Sequence, residues 1–149
     1  MLHLANTKTV AKIGTGDTTT SQTASHTIDT LGFGYASIDV VFEPSAATTD
    51  AICTALKVEE SDASGSGFTN IDALVGNGTG GFAIPTSGSR TADSNVVRLN
   101  LELSGQKRYL KVSATPVAAS VVATVVRLGR AAEGVVSASQ AGVQVVASA

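Results

Sequence analysis

Tryptophan is absent from this 149-residue chain, and cysteine and methionine occur once each. A lone Cys53 excludes a disulfide framework and any zinc site built from cysteines. Aromatic side chains make up only 4% of residues: Tyr35, Tyr109, Phe33, Phe42, Phe68 and Phe82. A monomer of this size ordinarily buries more aromatic area. Either burial is shared with neighbouring subunits, or the domain is a thin sandwich filled with Val and Leu. Charged residues are also scarce at 15%, against roughly 25% in an average soluble domain. So few charges point to a surface partly covered by other protein. Strong helix formers are sparse as well, and Ser, Thr, Ala, Val and Gly dominate, a mixture that favours strands and turns. No apolar run approaches the length of a membrane span, and the first residues lack the basic start and apolar stretch of a signal peptide. Synthesis as a soluble protein in a cytoplasm is the expectation.

What is present is period-two alternation, clearest over residues 96–128. Val97, Leu99, Leu101 and Leu103 alternate with Arg98, Asn100 and Glu102, as in a half-buried strand. A Ser104-Gly105-Gln106-Lys107 turn follows. A second strand places Leu110, Val112 and Ala114 on one face, and Pro116, which has no N–H for a sheet ladder, ends it. Residues 121–128 are apolar on both faces, with Val122, Val126 and Leu128 directed to the core and Val121 and Val125 to a neighbouring subunit, beside Arg127. Earlier in the chain, Ala36, Ile38, Val40 and Phe42 share one strand face, and residues 52–59 make a further strand. The spacing of Phe68, Ile71, Leu74 and Val75 fits a short helix or an irregular strand equally.

These signals predict an all-β fold, an antiparallel β-sandwich of jelly-roll type, over residues 25–134. Residues 1–24 are polar and Thr-rich, with Leu2, Leu4, Val10 and Ile13 as their apolar content, and read as an extended N-terminal arm. Residues 135–149 carry no charged side chain and read as a C-terminal tail docked on the domain or a neighbour.

Charge is segregated along the chain. Residues 1–89 hold three lysines against nine carboxylates, and residues 90–130 hold seven basic residues against two acidic ones. Nucleic acid or an acidic protein partner would produce such asymmetry, but complementation between the two halves, within a sheet or between subunits, is simpler. Lys107, Arg108 and Lys111 with Tyr109 form the most concentrated basic patch. One tyrosine on an alternating strand argues against a stacking platform for nucleic acid and for a strand edge facing acidic protein.

Catalytic and cofactor motifs are weak. Gly76, Gly78 and Gly81 satisfy the G-x-G-x-x-G spacing, yet Phe82-Ala83-Ile84-Pro85 follows, where a phosphate site needs a helix. His3 and His26 have no nucleophile or carboxylate motif nearby, and His26 reads as a strand surface residue. Glu59, Glu60 and Asp62 lack the alternating pattern of a calcium loop. No catalytic residue, metal site or cofactor is expected, nor a nucleic-acid, membrane or small-molecule partner.

One resemblance adds function to this pattern. Residues 28–33 (Ile-Asp-Thr-Leu-Gly-Phe), residues 56–62 (Leu-Lys-Val-Glu-Glu-Ser-Asp), residues 107–116 (Lys-Arg-Tyr-Leu-Lys-Val-Ser-Ala-Thr-Pro) and residues 125–129 (Val-Val-Arg-Leu-Gly) resemble small virion proteins of tailed bacteriophages. These are similar to capsid cement, or decoration, proteins. The resemblance spans about residues 28–130, and residues 107–116 are its most specific part. It implies a β-sandwich or jelly roll, commonly trimeric, seated on the outer capsid surface and clamping subunits of the major capsid protein. No catalytic or cofactor residue is implied. On this view Leu2, Leu4, Val10 and Ile13 of the arm and Lys107, Arg108 and Lys111 would meet capsid, and Val121, Val125 and Arg127 would meet a second subunit of a homotrimer. A head–tail or tail structural protein is the alternative in the same setting. A carbohydrate-binding sandwich is the alternative outside it, although the usual aromatic platform is thin here.

Overall fold

A computed structural model describes residues 7–14, 22–44, 51–85, 95–117 and 120–130. Eight strands account for its regular structure: β1 (Lys8–Gly14), β2 (Ala24–Asp29), β3 (Tyr35–Phe42), β4 (Ala55–Ser61), β5 (Thr69–Val75), β6 (Val96–Glu102), β7 (Tyr109–Thr115) and β8 (Val122–Gly129). They form two four-stranded sheets, β1-β8-β3-β6 and β2-β7-β4-β5, in which every ladder is antiparallel. The described residues are all-β, with no helix.

Alternation explains which residues fill the space between the sheets. Ile38, Val40 and Phe42 of β3, Val122, Val126 and Leu128 of β8, Leu56 and Val58 of β4, and Leu110 and Val112 of β7 are almost fully buried. Each of these strands supplies every second residue to the core, and Phe42 is the one aromatic ring fully enclosed by it. The thin aromatic content is thus accommodated by a core of Val, Leu and Ile.

The segment read as an arm over residues 1–24 requires correction at residues 8–14. These form β1, paired with β8 from Lys8↔Leu128 to Gly14↔Val122, so this part of the chain is an edge strand of the first sheet. An edge strand is held largely by ladder hydrogen bonds and needs little apolar area, which is why its polar composition resembled an arm. Leu2, Leu4 and the tail at 135–149 lie outside the described residues.

The irregular spacing of residues 68–75 resolves as strand β5. Its pairing with β4 shifts register between Lys57 and Glu59, moving from Lys57↔Val75 to Glu59↔Asn70. That irregularity breaks the strict alternation a sequence reading looks for.

Candidate functional site

The outer faces of the two sheets differ in chemistry. On the second sheet, Ser25, Thr27 and Asp29 of β2 lie beside Ser113, Lys111 and Tyr109 of β7, and β4 adds Lys57, Glu59 and Ser61. Many of these groups bond one another, as with Ser25 Oγ and Ser113 Oγ at 3.3 Å. Over these three strands that face is mostly polar and several of its groups are tied to one another, while β5 sets Val75 beside Lys57.

On the first sheet the registers align Ile13 of β1 with Ala123 of β8, Ala123 with Val41 of β3, and Val41 with Val96 of β6. One apolar row therefore crosses all four strands, a span of about 14 Å at normal strand spacing. Ile13 is 69% exposed and Val96 50%. Val121, 42% exposed, and Val125 extend the patch along β8 by alternation with Ala123. The expected split of β8 holds: Val122, Val126 and Leu128 are buried, while Val121 and Val125 face outward with Arg127.

A charged cluster borders this patch. Asp39, opposite both Val125 and Arg98, is 6% exposed although it points to the outer face. Arg98 covers it from β6 with two bonds, Nε to Oδ1 at 2.6 Å and Nη2 to Oδ2 at 2.9 Å. Arg127 donates to Oδ2 from β8 at 2.8 Å. The bonds from Arg98 hold the Asp39 carboxyl below its ordinary pKa; burial opposes this, and Arg127 reinforces it. At the far end of the same face, Arg130 binds both Glu102 oxygens and lies over the Tyr35 ring.

The basic patch at residues 107–111 is mostly compensated within the domain. Arg108 forms a two-pronged pair with Asp29, at 3.0 and 2.7 Å, which lowers the pKa of that carboxyl. Lys111 sits directly opposite Glu59, with Nζ 2.9 Å from Oε2 and 4.4 Å from the Phe68 ring centre. Lys57 takes the other Glu59 oxygen at 2.9 Å. Burial pushes the Glu59 pKa up, but the bonds from Lys111 and Lys57 outweigh it and the net direction is down. The Lys107 ammonium reaches the Thr69 hydroxyl at 3.4 Å, and its backbone N–H donates to Glu60. Of the two readings of the charge asymmetry, complementation between the halves is the one seen in these contacts.

Among the arm residues expected to meet capsid, Val10 turns inward. It pairs with Val126 on the inner face and packs against the core. Ile13, on the opposite face of the same strand, is open. His26 likewise turns inward: it is 7% exposed, not a surface residue, because it alternates in phase with Ile28. Burial, assisted by Lys12, lowers the pKa of its imidazole.

The glycine-rich loop closes on itself. The N–H groups of Gly76, Gly78 and Gly81 donate to the carbonyls of Leu56, Val75 and Gly78. A side chain at Gly76 would strike Ile84 at 2.6 Å, so this glycine serves packing. Cys53 is buried, and desolvation pushes its thiol up to about 11, leaving little thiolate near neutrality. Among the described residues, no three His, Cys, Asp or Glu side chains gather at metal-binding distance. Compared with known proteins, the chain matches no family model and no curated relative.

Proposed function

We propose that the chain is an assembly protein whose work is done by protein–protein contact through the outer face of the first sheet. The observation that carries this is the apolar row Ile13–Ala123–Val41–Val96, open on one sheet while the other sheet's outer face is mostly polar and partly self-bonded. Exposed apolar area bordered by charge is the chemistry of a protein interface.

Within that class, the particular reading is a cement or decoration protein of a tailed-phage virion. It forms a homotrimer on the outer capsid surface and clamps neighbouring subunits of the major capsid protein. The resemblance of residues 107–116 and its companion segments supports this. The strand order supports the finer topology: β1 with β8, β2 with β7, β3 with β6 and β4 with β5 describe one long hairpin rolled into two sheets, as in a jelly roll. Val121, Val125 and Arg127 serve the contact between subunits. Capsid contact falls to Leu2, Leu4 and Ile13, with Lys107 as the basic contributor, since Arg108 and Lys111 are engaged by Asp29 and Glu59.

Capsids assembled without this protein provide the test. The purified chain, mixed with them and pelleted, is expected to bind saturably, with an occupancy that changes little with salt. Failure to bind expanded or unexpanded capsids overturns the virion reading and leaves the assembly reading to be tested by oligomeric state.

A further inference from the structure

At the β1/β2 side of the sandwich the described residues leave a space beside the core. The two edge strands approach closely at Gly14 and Ala24, where a side chain on Gly14 would come within 2.9 Å of the Ala24 Cβ. Beside that contact lies a cleft of about 210 Å³, lined by Lys12, Ser25, His26, Ser120, Val122 and Thr124, among others. The inner-face positions here are small or polar where the rest of the core is Val, Leu and Ile.

Two side-chain atoms of residues that line this cleft, His26 Nδ1 and Ser120 Oγ, are buried without a hydrogen-bond partner among the described residues. Their residues are 7% and 6% exposed. Buried polar groups are nearly always bonded, so such a pair in one cavity indicates something that bonds them. Lys12 projects from β1 to the same place and donates from Nζ to the Ser25 carbonyl at 2.8 Å. An inward lysine on an edge strand also guards against strand addition, which accounts for Lys12 but not for the two unpartnered atoms.

We propose that this cleft binds a small oxyanion, a carboxylate or a phosphate group, held by the Lys12 ammonium, the Ser120 hydroxyl and the Nδ1–H of His26. Among the described residues no carboxylate lines the cleft, and Lys12 is the charged group among them. That balance rejects a cation. No aromatic ring lines it either, so a stacked sugar is disfavoured. Residues bearing three donor types, with one positive charge among them, line the one cleft and match anionic oxygens. The volume accommodates such a group with a few waters.

The experiment follows the His26 ring by nitrogen-15 NMR in the full chain, titrated separately with acetate, phosphate and N-acetylglutamate amide. His3, the only other histidine, reports non-specific salt effects. A saturable shift at His26, absent at His3, is expected. Lys12→Met should weaken binding roughly tenfold or more, the effect of losing a charge-assisted bond. Ser120→Ala should weaken it less and serves as the second variant if Lys12→Met does not fold. Tighter binding of the glutamate derivative than of acetate assigns the oxyanion to an acidic side chain of a docked polypeptide, and the reverse assigns it to a free anion. No saturable shift with any of the three, or equal shifts in wild type and both variants, means that water alone fills the cleft and overturns the proposal.

Discussion

Asp39 shows how a single carboxylate can organise a sheet face. It is nearly buried between two guanidiniums that are themselves more than half exposed, at 58% for Arg98 and 53% for Arg127. Solvent screening on the arginine side moderates the worth of these bonds, so Asp39→Asn should cost about 1–2 kcal/mol at pH 7. The folded-state pKa of Asp39 is lowered, so its contribution is complete above the ordinary carboxylate range. It is lost as pH falls through the folded value. Denaturant unfolding of wild type and variant should therefore differ at pH 7 and converge in acid; a difference that persists unchanged in acid would assign the loss to packing. Lys111→Glu should be costlier, about 2–4 kcal/mol, because it sets a second carboxylate opposite the buried Glu59. A stability equal to wild type in the same measurement would contradict the pairing. These partners were only half legible in the sequence. The segregation of charge is visible there, but which acid meets which base depends on long-range register, and Asp39 lies 88 positions from Arg127.

At the scale of elements, strands with strict alternation were readable, whereas β1 and β5 were not. β3, β6, β7 and β8 each place every second residue in a core, which leaves a clear period of two. β1 contributes chiefly Val10 to the core and β5 pairs across an irregular register, so neither leaves that signature. With β1 a strand of the sheet, truncation at the N-terminus should destabilise the domain. Removing residues 1–14 would strip β8 of a partner along seven paired positions and expose its row of N–H and C=O groups. Thermal melting of the truncated chain should show a lower midpoint and concentration-dependent aggregation. An unchanged melt without aggregation would return this segment to the role of a detachable arm.

For the whole molecule, one sheet face is finished and the other is not. The second sheet ties several of its outward polar groups to one another, whereas the first presents Ile13, Val96 and Val121 to solvent beside a fixed charged cluster. The apolar outward residues of β8 were evident from sequence, but the row they join was not, since it exists only once β1, β8, β3 and β6 are aligned. A test of this face must avoid Val125, because an acid placed there would sit opposite Asp39 and perturb the monomer itself. Val96→Asp and Val121→Asp lie on exposed positions of this face and outside the residues given to capsid contact, with little effect expected on the fold. Sedimentation of the full chain at micromolar concentration tests the central claim most directly. A trimer that either substitution dissociates into folded monomers is the predicted result; a well-folded wild-type monomer at the same concentration would contradict it.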